Sequence, residues 1–158
     1  MSLFMKLFLP LMLTFICSSG YCQLYNSIST DAKSFYEKSM HDLKPAMASF
    51  ILNKTAQLSG RNVDADSLTK SLIKEQLFKN SDHIFLKRIS LLILIASANE
   101  RDIQIKKLVM QMSRQKKVDL NSDVTQPLQK QKSDIAQEVS RLFFEIGNNT
   151  TSTSKGLE

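Results

Sequence analysis

The longest apolar pattern of the chain, after its extreme N-terminus, lies between Ser81 and Lys117. One helical face of this segment carries apolar residues at intervals of three, four and seven positions: Ile84, Leu91, Ile95, Ala98, Ile105, Val109 and Met112. The run from Ile89 to Ala96 adds apolar residues around the rest of the helix, although it is too short to cross a bilayer. We therefore expect this segment to form the buried centre of an all-α fold.

The central segment itself is predicted to contain two helices. Ser97-Ala98-Asn99 is a weak point in the apolar pattern, and Glu100 and Asp102 follow it. Acidic residues at these positions are typical of the first turn of a new helix, because they interact favourably with the positive end of the helix dipole. The pattern therefore favours a break near Asn99.

Helical spacing predicts further helices on both sides of the central segment. Before it, we predict a first helix capped by Ser29 or Thr30, followed by a bend at His41–Lys44. A second helix then begins at Pro45 and is followed by a turn at Gly60–Asp64. A third helix is capped by Asp64 or Asp66 and ends near Asn80. After it come a polar loop at Val118–Gln126 and a last helix that Pro127 opens and Gly147 ends. The sum is six helices and no strand.

The first 22 residues have the pattern of a secretory signal peptide, with Lys6 before an apolar run and small residues after it. Cleavage after Cys22 would leave Gln23 as the mature N-terminus, which can cyclise to pyroglutamate. We therefore expect a secreted protein with three parts: a signal peptide at 1–22, a helical domain at 23–147 and a Ser/Thr/Asn-rich disordered tail at 148–158.

The mature chain would be free of disulfides and basic. Cys17 and Cys22 are the only cysteines, and both precede the cleavage point, so stability must come from packing. The 20 Lys and Arg residues that remain exceed the 15 Asp and Glu residues by five. This excess suits an acidic receptor or a sulfated polysaccharide, but a solvated charged surface explains it too and is the interpretation we favour.

No catalytic or metal-binding constellation is visible in the sequence. His41 and His83 are the only histidines and have no second ligand at zinc-binding spacing, and there is no Gly-rich phosphate loop. We predict that the protein is not an enzyme and needs no cofactor. Three N-glycosylation sequons begin at Asn53, Asn148 and Asn149.

Several short motifs occur in order along the chain: Gly20-Tyr21-Cys22 before Gln23, Ser34-Phe35-Tyr36 followed by His41-Asp42-Leu43, Phe50-Ile51-Leu52, Leu77-Phe78-Lys79-Asn80, and Val124-Thr125 followed by Gln131-Lys132 and Ile135. Taken together, they resemble the interferon gamma (type II interferon) family. Each motif is short, and their colinearity along nearly the whole mature chain carries the resemblance. The basic tail of the family is missing, since Lys155 is the only cation after Arg141.

The resemblance implies a six-helix cytokine that forms an intertwined homodimer, in which the last two helices of each chain wrap around the partner. It also implies a ligand that clusters a class II cytokine receptor at the cell surface and triggers antiviral and immune signalling. The receptor-binding residues it indicates are His41, Asp42, Leu43, Lys44, Ala136 and Gln137. Two alternatives stay open: a cytokine of the interleukin-10 and interleukin-22 group, and an exported bacterial helical bundle with a scaffold or chaperone role.

Overall fold

The computed structural model describes residues 28–115 and 123–154, with side chains as far as residue 148. Every secondary-structure element in this part of the chain is a helix, which confirms the all-α prediction. It contains five α-helices and one short 3-10 helix: α1 (Thr30–Asp42), α2 (Pro45–Gln57), α3 (Ala65–Ile73), the 3-10 turn Gln76–Phe78, α4 (His83–Arg114) and α5 (Gln126–Ser154). The predicted signal peptide, Gln23 and most of the predicted loop at 118–126 lie outside the described residues.

Three of the helix starts follow the predicted capping chemistry. The Ser29 hydroxyl accepts a hydrogen bond from the Ala32 N–H at 3.2 Å, and the Asp64 carboxylate accepts one from the Ser67 N–H at 2.8 Å. Pro45 is the first residue of α2, where its missing N–H costs no helical hydrogen bond. Gly60 adopts a φ of 76° in the predicted turn, a conformation that glycine reaches without strain.

The predicted third helix is shorter than expected. Helix α3 ends at Ile73, and the 3-10 turn that follows carries Phe78 into the core. The Phe78 ring contacts Phe50 of α2 with centroids 5.1 Å apart. The chain therefore changes direction before Asn80 to bury this ring, and the prediction of a continuous helix to Asn80 was wrong.

The predicted break in the central segment is also wrong, because α4 is one helix of 32 residues. Every residue from Ile89 to Ala98 is buried, so other parts of the chain cover this stretch on all sides. Packing of the surrounding helices outweighs the weak local preference of Ser97 and Asn99 for a helix end. The apolar face predicted for this segment is buried at Leu91, Ile95 and Ala98. Its first residue, Ile84, is exposed.

Helix α5 begins one residue before Pro127 and continues past Gly147 to Ser154. Gly147 is therefore an internal helical residue rather than a C-cap, and the predicted disordered tail is helical over residues 148–154. The predicted apolar face is correct: Ile135, Val139, Leu142 and Ile146 are buried in the core. The other four helices all pack against α4, so the core forms around a central helix.

Candidate receptor-contact surface

The α1–α2 connection carries four of the residues that the resemblance indicated. His41 and Asp42 do not lie in a loop, because they form the last turn of α1, while Leu43 is its C-cap and Lys44 is the N-cap of α2. The Leu43 N–H donates to the Ser39 carbonyl at 3.1 Å, so the helix closes tightly before Pro45 begins the next one. The predicted open loop is thus a sharp corner between two helices.

This corner presents charge to solvent. His41 and Asp42 have side-chain exposures of 89% and 65%, and His41 Nδ1 lies 3.3 Å from Asp42 Oδ1. Lys44 is exposed as well, whereas Leu43 is half-buried against the core. Three of these four side chains are therefore accessible to a partner, and the fourth anchors the corner.

The two predicted residues on α5 differ in exposure. Ala136 is only 2% exposed and packs in the core, so its side chain is not accessible to a partner. Gln137 is exposed and lines a cavity of about 280 Å³ between the start of α3 and α5. A one-residue step along a helix turns the side chain by about 100°, which accounts for the difference.

The structure does not bring the corner and Gln137 together. Phe35 of α1 contacts Phe143 of α5 with ring centroids 5.9 Å apart, and Lys33 lines a cavity with Lys132. The corner lies at the C-terminal end of α1. The cavity beside Gln137 is lined by residues 62–64 and by α5, with none from the corner.

The cavity beside Gln137 is acidic. Its lining residues are Asn62, Val63, Asp64, Asp134, Gln137 and Glu138. The Ser67 N–H hydrogen bond lowers the pKa of the Asp64 carboxyl, which stabilises its charged form. Glu138 Oε2 accepts hydrogen bonds from the Ala65 N–H at 2.9 Å and from Arg141 at 3.0 Å. Two of the three carboxylates are thus held in place by the neighbouring helices.

A second charged cluster links α4 to α5 on the other side of the bundle. Asp102 forms ion pairs with Lys106 at 2.7 Å and with Lys132 at 2.6 Å. Their hydrogen bonds lower the pKa of the Asp102 carboxyl. The cluster fixes the start of α5 against α4 at the level where α4 leaves the core.

Arg101 was not predicted from the sequence to be a buried residue. Its side chain is fully buried, and it donates to Gln131 Oε1 at 3.1 Å, to Glu100 Oε2 at 3.2 Å and to the Leu58 carbonyl at 3.1 Å. It therefore joins α2, α4 and α5. Its position seven residues after Leu94, on the inward face of α4, was the available signal.

Beyond Arg101, helix α4 continues outside the core. We call residues 102–114 the α4 arm. Ile103 and Met110 on the arm are 52% and 61% exposed, while Ile105, Leu108, Val109 and Met112 are half-buried. Ile103 and Met110 are seven residues apart, so they share one face of the α4 arm, and both are exposed to solvent on that face.

Two of the three sequons can be placed. Asn53 is exposed on α2, whereas the hydroxyl of Thr55 is buried and donates to the Ile51 carbonyl at 2.8 Å. Asn148 is exposed on α5, and the side chain of Asn149 lies outside the described residues. Glycan attachment at Asn53, Asn148 and Asn149 stays a prediction.

No cluster of three or more His, Cys, Asp or Glu side chains suited to a metal ion occurs in residues 28–115 and 123–148. Within the described helices, none is long and apolar enough to span a membrane. Comparisons with protein-family models, with curated proteins and with solved structures find no match.

Proposed function

We propose that the protein is a secreted cytokine of the interferon gamma type, which binds a class II cytokine receptor as a homodimer and triggers antiviral and immune signalling. The colinear motifs are the basis of the proposal. The structural observation that supports it best is the apolar helix α4, enclosed by four other helices and followed by the long helix α5 packed along it. This arrangement agrees with the all-α class that the resemblance implies, while the six helices and the intertwined homodimer are part of the proposal.

The α4 arm supports the homodimer. Its exposed Ile103 and Met110 would be covered by a second copy of the chain. The proposed homodimer is an exchanged one, in which α5 of each protomer packs along α4 of its partner. The exchanged protomers would keep the same contacts, such as Arg101 with Gln131 and Asp102 with Lys132, so the exchange costs little contact energy.

The proposed receptor site combines the α1–α2 corner with Gln137. A standard interface covers about 800 Å² on each partner, and the proposal requires one receptor chain to reach both the corner and Gln137. In an exchanged dimer, α5 of one protomer lies beside α1 of the other, so both chains would contribute to each site. Ala136 takes no direct part in this proposal because its side chain is buried.

Charge reversal at the corner tests the receptor site. We expect Lys44→Glu to weaken binding to the receptor ectodomain about ten-fold, because it reverses a charge at the proposed interface. Lys70→Glu is the matched control, since Lys70 is also exposed but lies on α3. Binding is measured by surface plasmon resonance, and signalling by receptor-kinase phosphorylation in leukocytes of the source organism.

The paired variants separate a local contact from a general charge effect. Equal losses for Lys44→Glu and Lys70→Glu would show that net charge, rather than the corner, governs binding. If the protein with native sequence produces no phosphorylation and binds no class II cytokine receptor, the proposed function is wrong.

A further inference from the structure

Phe144 is the most exposed large apolar side chain in the described part of the chain, at 71%. It lies on the outer face of α5, whereas its neighbours Leu142 and Ile146 are buried and Phe143 packs against Phe35 of α1. Packing within the chain therefore does not account for an aromatic residue at this position. Water contact with most of a phenyl ring is unfavourable, so a group that covers the ring would stabilise the folded protein.

A sequon begins one helical turn after Phe144. Asn148 is exposed on the same face of α5, because residues four apart on a helix are neighbours about 6 Å apart at Cβ. Helical side chains also lean toward the N-terminus of their helix. A sugar attached to Asn148 is therefore directed back over the ring of Phe144.

We propose that Phe144 is the stacking platform for the first N-acetylglucosamine of an N-glycan on Asn148. One face of this sugar is lined by C–H groups, which bury apolar area on the ring and are attracted to its negative π-face. The covalent link makes the contact intramolecular, so it forms without the entropy cost of bringing two molecules together.

The inference rests on the proposed function, because it needs passage through a compartment that attaches N-glycans. There, Nδ2 of Asn148 forms a bond to C1 of a lipid-linked oligosaccharide. The lipid diphosphate leaves from C1, and the amide nitrogen loses one proton. No oxidant or reductant is required, and Thr150 completes the sequon.

The other two sequons lack this arrangement. Four residues before Asn53 is Ser49, and four residues before Asn149 is Glu145, so neither has an aromatic ring in the equivalent position. The chain thus supplies its own controls.

The test compares the effect of Phe144→Ala in two glycoforms secreted from a eukaryotic cell line. The Asn149→Gln background keeps the sequon at Asn148, and the Asn148→Gln background keeps the one at Asn149. Mass spectrometry establishes which asparagine is occupied, and an endoglycosidase trims each glycan to a single N-acetylglucosamine. We expect Phe144→Ala to lower Tm by about 2–4 °C with the sugar on Asn148. With the sugar on Asn149, we expect almost no change.

Phe144→Trp should restore the lost stability in the Asn148 glycoform, because it retains an aromatic face. Nuclear Overhauser effects between the sugar protons and the ring protons should be present only in that glycoform. An equal Tm change in both backgrounds, or an unmodified Asn148, would overturn the inference. None of these readouts involves a receptor, so a failure of receptor binding leaves this result intact, and the reverse also holds.

Discussion

Arg101 connects three helices at the point where α4 leaves the core. Its guanidinium donates to a side chain on α5, a carbonyl at the end of α2 and its own neighbour Glu100, whose side chain is 32% exposed. A buried cation is costly unless these partners satisfy it. The arginine therefore fixes the mutual position of the three helix ends rather than adding simple ion-pair energy.

Replacement of Arg101 by Ala should destabilise the protein by about 2–3 kcal/mol, because it removes hydrogen bonds from a charged group and leaves the Leu58 carbonyl and Gln131 without this partner. Urea unfolding followed by circular dichroism measures the free energy of unfolding. Lys106→Ala on the exposed side of α4 is the control, with an expected change below about 0.5 kcal/mol. A loss for Arg101→Ala no larger than the control would refute this role.

The sequence could identify the apolar core residues but not this arginine. Leu91, Ile95 and Ala98 follow from helical spacing alone. Arg101 continues the inward face of α4, yet a charged residue at such a position is normally assigned to the surface. Its burial depends on a carbonyl and an amide from distant parts of the chain, which no local pattern reveals.

At the scale of single helices, capping was the most predictable feature. The Asp64 cap of α3 is set by one side chain and the backbone N–H groups that follow it, so the local sequence determines it. Helix ends without such a cap were not predictable. The continuity of α4 and the extension of α5 past Gly147 both depend on where the rest of the chain packs.

The Asp64 cap predicts a pH dependence of stability. Hydrogen bonding lowers the pKa of Asp64 in the folded state, so its contribution is present above the unfolded pKa of about 3.9. It is lost as the pH falls through the lower folded value. Asp64→Ala should cost about 1 kcal/mol at pH 7, and the difference from the native sequence should shrink toward pH 3.

Asp64→Asn separates the cap from its charge, because asparagine also caps helices but does not titrate. We expect it to retain most of the stability at pH 7 and to show a shallower loss on acidification. Asp31→Asn, in the first turn of α1, is the control for removing an exposed acidic charge. A pH profile of Asp64→Asn identical to that of the native sequence would contradict the assignment.

For the whole molecule, a single chain already encloses the apolar centre. The surrounding helices bury Ile89–Ala98. The presence of apolar residues on all sides of the helix in this stretch therefore does not by itself require a second chain. The argument for association comes instead from the α4 arm, where Ile103 and Met110 remain exposed. The sequence placed both segments in one apolar pattern and could not show where the core ends.

The candidate receptor site was predicted only in part. The resemblance indicated exposed residues at the corner and at Gln137, but it could not separate Gln137 from the buried Ala136. Exposure of neighbouring helical positions depends on the rotation of α5 about its axis. That rotation is set by Val139, Leu142 and other core residues rather than by the motif itself.

The most direct test of the account is the solution mass of the secreted protein, measured by light scattering and sedimentation over a dilution series that reaches nanomolar concentration. If the protein is an exchanged homodimer, its mass should be twice that of a single chain at every concentration of the series. It should also unfold in a single step, with an unfolding midpoint that rises with protein concentration. Met110→Glu, on the exposed face of the α4 arm, should weaken the dimer. A fully helical monomer at all concentrations, with a midpoint independent of concentration, would contradict the proposed dimeric cytokine.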